Sequence, residues 1–305
     1  MTRHLLSVSD LSSEQVADVL RHASVLSPPQ VLAGKGAALV FEHPSARTRN
    51  AAEMAVTALG GHPVTIRGDE VGIDQRESAE DVARTLACFH STIAARVERH
   101  TTLERMVAAL DAAGVEVPVV NLLSDREHPT QALADLLTIQ QRLGSLEGKT
   151  LAFIGDANNV CRSLVGAAAL TGMSMRVASP PAYELGEADL AWGGSLGDPP
   201  VVCGRPEEAA EGADVLYTDV WVSMGQDEEA WARRRAFAGY TIDETLLALA
   251  APGAIVLHCL PAHRGEEISA GMMDSPQSAV WQQAENRLHS IRGLLLHLLG
   301  PAEAS

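Results

Sequence analysis

"AALVFEHPSARTRN", residues 37–50, passes from an apolar run through a His-Pro turn into a stretch with helical spacing. A strand feeding a helix in this way opens a βαβ unit, and repeated units of that kind make a parallel sheet with helical crossovers. The same alternation of apolar runs, Gly/Pro/Asp turns and Ala/Leu/Glu/Arg stretches recurs outward from it. HPVTI (62–66), STIAAR (91–96) and VPVVNL (117–122) read as further strands, with helices expected near 49–59, 77–90 and 101–113. Upstream, "SDLSSEQVADVLRHA" predicts a first helix capped by Asp10 or Ser12.

A second cycle starts after "LGSLEGKT", with strands expected at 150–156, 175–180, 213–220 and 254–260. "HPTQALADLLTIQQRLG" (128–144) reads as one long helix joining the halves, and "AVWQQAENRLHSIRGLLLHLLG" as an amphipathic closing helix. The expectation is an α/β chain of two doubly wound parallel-sheet domains, 1–144 and 145–305, joined by a helical hinge. The C-terminal helix, about 282–299, is expected to fold back on the first domain. A length of 305 residues suits two domains better than one. Residues 181–206 carry little pattern.

Composition narrows the function classes. The formal net charge of −16 repels nucleic acid and anionic membrane, so any anion must be bound locally against that field. No stretch approaches roughly 18 uninterrupted apolar residues, so no membrane span is expected. The opening "MTRHLLSVSDLSSEQ" turns polar too soon for a signal peptide, and a cytoplasmic location is the expectation. Cys88, Cys161, Cys203 and Cys259 stand far apart without a C-x-x-C pair, which supports neither a zinc site nor a disulfide framework. Only Lys35 and Lys149 represent lysine, both beside glycines, so Schiff-base chemistry lacks a buried candidate.

In open parallel sheets ligands sit beyond the carboxyl ends of the strands, and there the reactive-looking residues collect. After the first strand, Ser45, Thr48 and Arg47 at a helix N-terminus suit a phosphate, or equally a capped helix with solvated arginines. Arg47 and Arg49, two apart, cannot face one ligand from a regular helix, so one is free to pair with an acid. His128 and Gln131 share a face of the long helix and suit an oxygen atom or a plain helix start. "GDANN" lacks the second and third glycines of a dinucleotide turn, and "GSLEGKT" is one residue short of a P-loop and precedes its strand. "HCLPAHRGEE" puts His258, Cys259 and His263 close together, yet strand alternation separates the first two and no acid stands at ligand spacing, so no metal is expected. Asp219, Ser223 and the Met224-Gly225 backbone suit an amino-acid head group, or an ordinary loop.

Taken together, S-A-R-T-R, H-P-T-Q, D-V-W-V-S-M-G and H-C-L-P resemble, in order and approximate spacing, the motifs of the aspartate/ornithine carbamoyltransferase family. The S-M-G and H-C-L-P elements resemble its ornithine-using members. The resemblance covers almost the whole chain. It implies transfer of a carbamoyl group from carbamoyl phosphate to the δ-amine of L-ornithine, giving L-citrulline and phosphate by direct attack, without cofactor, metal or covalent intermediate. Carbamoyl phosphate would be met by Ser45, Ala46, Arg47, Thr48, Arg96, His128, Pro129, Thr130, Gln131, Cys259, Leu260 and Arg287. Arg47, Arg96, His128, Cys259 and Arg287 would carry the catalysis, and Asn159, Asp219, Ser223 and Met224 would hold ornithine. A homotrimer, with a loop at 69–78 reaching the neighbouring site through Gln75, and a place in arginine biosynthesis are further implications of the resemblance.

Two positions depart from the family pattern: Ala46 stands where a threonine is usual and His43 where a lysine is common. The rival readings are a transcarbamylase acting on aspartate, acetylornithine or putrescine, and a catalytically silent amino-acid-binding relative. A nicotinamide dehydrogenase is disfavoured by the missing glycines.

Overall fold

The computed structural model describes residues 4–222 and 227–300. The chain divides into two compact units, residues 1–134 with 285–305, and residues 135–284.

In the first unit the parallel strands β1 (Gly36–Phe41), β2 (His62–Arg67), β3 (His90–Arg96) and β4 (Val119–Leu123) lie in the order β2-β1-β3-β4. Helices α1 (Ser13–Ala23), α2 (Ala46–Ala58), α3 (Gly68–Val71), α4 (Ala79–Ala87) and α5 (His100–Ala112) intervene. β1 is buried from Ala37 onward, as a central parallel strand must be, and Ala38 pairs with Val64 on one side and Ile93 on the other. Val82, Leu86, Leu103, Met106 and Leu110 pack over this sheet from α4 and α5. Of the two residues expected to cap the first helix, Ser12 does so: its Oγ accepts from Gln15 N, and Gln15 Oε1 accepts from Ser12 N in return. Asp10 instead accepts from the N–H groups of Leu6 and Ser7.

The second unit has β5 (Thr150–Ile154), β6 (Ser174–Ala178), β7 (Val201–Cys203), β8 (Val215–Thr218) and β9 (Ile255–His258) in the order β7-β6-β5-β8-β9, all parallel. The chain enters it within α6 (Pro129–Leu143). Then follow α7 (Asn159–Thr171), α8 (Glu187–Leu196), α9 (Pro206–Ala210), α10 (Ala230–Ala236), α11 (Glu244–Leu247) and α12 (Ala270–Met273), and the chain leaves within α13 (Val280–Leu299). Its core gathers Ala152 and Ile154 of β5, Leu216, Val256, Ile242, Ile268, Met272 and Met273. No described helix is long and apolar enough to cross a membrane.

Several expected strands are shorter than their apolar runs, two of them for a local reason. β4 starts at Val119 because Pro118 has no N–H to give the ladder, although its carbonyl accepts from Ile93 N. β9 ends at His258 because Leu260 takes a left-handed φ of 63°. The unassigned span 181–206 contains α8 and the edge strand β7.

In each sheet the order reverses beside the strand that begins the unit. The first switch lies between β1 and β3, the second between β5 and β8. These are the positions where open α/β sheets leave a crevice at their carboxyl ends.

Candidate active site

At the first switch, the turn after β1 delivers the chain into α2 with Ser45 as N-cap. Ser45 Oγ accepts from Thr48 N at 3.4 Å and donates to Thr48 Oγ1 at 3.1 Å. Ala46 opens the helix, and Arg47 follows, exposed. The two arginines divide as their spacing requires. Arg49 pairs with Glu53 at 2.8 Å, while among the described residues no acid pairs with Arg47. Arg96 ends β3 and is buried, and its Nε has no hydrogen-bond partner. Arg287, from α13, is buried as well; its Nη2 donates to Thr48 Oγ1 at 2.6 Å and lies 3.5 Å from His128 Nε2.

His128 precedes Pro129, which supplies a first helical position needing no N–H donor, and the His128 carbonyl accepts from Gln131 N and Ala132 N. Thr130 and Gln131 are buried beside it. Burial, then Arg287, Arg96 and Arg47 in that order, holds His128 well below the ordinary histidine range. Its imidazole is therefore neutral. Burial, then Arg47, also lowers Arg96. Three guanidinium groups acting on one neutral imidazole beside a helix N-terminus favour negative charge, and an anion placed there would relieve their mutual repulsion. Arg47, Arg96, His128, Thr48 and Arg287 are thus brought together from α2, β3, the entry to α6, and α13.

At the second switch, Asp219 follows β8 and is buried. Its Oδ2 accepts from Asn158 Nδ2 at 2.8 Å, and its Oδ1 from Val220 N at 2.8 Å and from the Cys259 thiol at 2.8 Å. Asn158, absent from the predicted set, caps α7 by accepting from Val160 N and Cys161 N, while the predicted Asn159 is the first residue of that helix. Ser223 and Met224 lie outside the described residues.

The neighbourhood of Cys259 corrects one expectation. An acid does stand close by in space: Asp219, His258 and Cys259 offer ligand atoms within 4.8 Å of one another. Spacing along the chain could not reveal it, because Asp219 arrives from a different strand. The group is nevertheless poorly suited to a cation. Leu260 N donates to His258 Nδ1 at 2.9 Å and His258 Nε2 faces Glu267 Oε1 at 3.0 Å, so no imidazole lone pair remains.

Two further residues escaped the sequence reading. Arg233 of α10 is buried, pairs with Asp156 just after β5, and donates from Nε to the Trp221 carbonyl at 2.5 Å. Burial, opposed by Arg233 and reinforced by Asp219, pushes the Asp156 carboxyl up to about 6. Nothing in the WARRR run sets Arg233 apart from the next two arginines, and only the tertiary fold distinguishes it.

A family model described as "Aspartate/ornithine carbamoyltransferase, carbamoyl-P binding domain" matches residues 3–141, and one described as its "Asp/Orn binding domain" matches residues 147–298. The ornithine carbamoyltransferase of Acidothermus cellulolyticus is 49% identical, the alignment covering 99% of this chain and 98% of the relative. That of Methanoculleus marisnigri is 43% identical, covering 100% and 99%. Among solved structures, the ornithine carbamoyltransferase of Pyrococcus furiosus superposes with a TM-score of 0.92 at 37% identity, covering 99% of this chain and 98% of that one. The enzyme from Thermus thermophilus gives 0.87 at 42%, covering 98% and 99%. With both family models matched in order along the chain, and relatives 49% and 43% identical over nearly its whole length, the chain belongs to the aspartate/ornithine carbamoyltransferase family.

Proposed function

We propose that this chain is an ornithine carbamoyltransferase, transferring the carbamoyl group of carbamoyl phosphate to the δ-amine of L-ornithine. The observation that carries the reading is the cluster of Arg47, Arg96 and Arg287 around neutral His128 at the α2 N-terminus. A small, doubly charged donor needs such a cluster, above all in a chain of net charge −16. The names of the relatives add the acceptor.

The first unit takes the donor. Its phosphate goes to the N-terminal amides of α2, to Ser45, Arg47 and Thr48, and to Arg96; Ala46 offers an N–H but no hydroxyl. The carbonyl oxygen goes to Thr48, Arg96, His128 and Arg287, with Pro129 and Thr130 shaping the turn and Gln131 serving the carbamoyl nitrogen. The second unit takes the amino-acid head group through Asn159, Asp219, Ser223 and Met224, and supplies Cys259 and Leu260 to the reacting atoms.

The ornithine δ-amine resembles a lysine amine, with a free pKa of about 10.4, and must be neutral to attack. Nearby guanidinium groups disfavour its charged form. Attack moves negative charge onto the carbonyl oxygen, where preorganised donors act as an oxyanion hole would. Phosphate then departs toward the helix end. Alignment and fixed charge supply the acceleration, and Cys259 forms no covalent adduct. A homotrimer with Gln75, exposed beyond α3, offered to a neighbouring copy, a cytoplasmic location and a role in arginine biosynthesis complete the proposal.

The test is an acceptor screen. With carbamoyl phosphate the protein should form citrulline from ornithine, and far less product from aspartate, acetylornithine or putrescine. Arg47→Ala should raise KM for carbamoyl phosphate at least tenfold, the loss of one strong charge-assisted contact. No citrulline from the unaltered protein refutes the reading, and preference for another acceptor replaces it with a related transcarbamylase.

A further inference from the structure

His258 and Glu267 form a buried pair, each 0% exposed in its side chain, that the proposed chemistry does not use. Their hydrogen bonds fix the protonation pattern. The N–H of Leu260 is only a donor, so His258 Nδ1, which receives it at 2.9 Å, must carry a lone pair. The ring proton therefore sits on Nε2 and points at Glu267 Oε1, 3.0 Å away. The same oxygen accepts from His263 N at 2.5 Å, while Glu267 Oε2 has no hydrogen-bond partner. From the other side, His258 N donates to Gln283 Oε1 at 2.9 Å, and Gln283 Nε2 donates to Asp135 Oδ1 at 2.7 Å. The imidazole is thereby held at both ring nitrogens, and the His258 backbone at a third point.

What the ring holds is the peptide group between Cys259 and Leu260. Leu260 has a φ of 63°, where a branched side chain is disfavoured and a turn persists only if its surroundings impose it. On one side of that peptide the Cys259 thiol reaches Asp219 Oδ1 at 2.8 Å, and on the other stands Leu260 itself. These are the groups of the second unit that the proposed function assigns to the reacting atoms.

We propose that Glu267 is a positioning residue: acting through the Nε2–H form of His258, it holds the Cys259–Leu260 peptide in the orientation the transfer step requires. The inference rests on the reading of the chain as a carbamoyltransferase. Glu267 touches no substrate. Its role is to supply one acceptor oxygen, which selects the imidazole tautomer whose other nitrogen can receive Leu260 N–H. In metal-ligating histidines a second partner sets the ring in this manner, and its loss costs about 10–100-fold; here the same logic applies to a ring that holds a backbone N–H.

Glu267→Gln keeps an acceptor oxygen and places its amide where Oε2 has no partner; Glu267→Ala removes the acceptor. In the citrulline assay the alanine variant should lose about tenfold or more in kcat, with KM for carbamoyl phosphate within about threefold of the unaltered protein. The glutamine variant should keep kcat within about threefold, since it retains the hydrogen bond. Histidine 15N shifts should report His258 as the Nε2–H tautomer in the unaltered protein and the glutamine variant. Should the alanine variant fold too poorly to assay, the glutamine kinetics and these shifts decide the matter. The proposal is overturned by an alanine variant with unchanged kcat, by a glutamine variant that loses kcat tenfold, or by an Nδ1–H or doubly protonated His258 in the unaltered protein. Failure of the unaltered protein to form citrulline counts against the proposed function instead, and the shifts still test the tautomer.

Discussion

His128 owes its character to what surrounds it. An isolated imidazole protonates near pH 6.5, but burial and the arginines at 287, 96 and 47 keep this one neutral well below that. The sign of the stability effect follows. As pH falls through about 6.5 the unfolded chain takes up a proton that the folded chain refuses, so the native state loses ground below that pH and not above it. The slope approaches about 1.4 kcal/mol per pH unit for this group alone. In urea denaturation of the ligand-free protein, His128→Asn should lose less stability than the unaltered protein between pH 6.5 and pH 5. Parallel losses would mean that His128 does not titrate as described. A neutral His128 beside Arg287 also adds no further positive charge to the cluster.

At the scale of elements, close approach decides more than propensity. Gly293 lies in α13 where a Cβ would come within 2.5 Å of Val19 O, 2.6 Å of Ala23 N and 2.9 Å of Ala23 Cα, all backbone atoms of α1. Alanine is better than glycine in a helix by about 1 kcal/mol, yet here it must displace a neighbouring helix. Gly293→Ala should therefore destabilise, by about 1–3 kcal/mol in chemical denaturation, and a stabilising result would contradict the packing of α13 on α1. The amphipathic pattern of α13 was legible in the sequence, but Gly293 looked like any helical glycine. Legibility followed the same division elsewhere. Among the described residues, apolar runs and turn residues announced eight of the nine strands, because parallel strands need continuous apolar sequence. β7 escaped because it is three residues long, at an edge and partly exposed, so it needs no such run. Arg47 and His128 stood out by lying at strand exits, whereas Asn158, Arg233 and Glu267 acquire their partners only through contacts 61, 77 and 9 residues away.

Over the whole molecule, the second unit is a continuous stretch and the first is not. The two ends of the second unit are tied together: Gln283 Nε2 donates to Asp135 Oδ1 at 2.7 Å, and Tyr217 OH donates to Asp135 Oδ2 at 3.0 Å. A fragment of residues 135–284 should accordingly fold alone, with cooperative thermal unfolding and dispersed amide signals. A collapsed fragment without near-ultraviolet dichroism would show that it depends on the rest of the chain. The first unit has no such option, since Arg287 and Gly293 reach it from the far end of the sequence. On the ribosome, then, the later-encoded unit is completed first, and the arginine cluster stays one guanidinium short until residue 287 has emerged. A message truncated between the codons for residues 131 and 287 would encode the α2 helix end, Arg47, Arg96 and His128, yet leave one cation of the cluster missing.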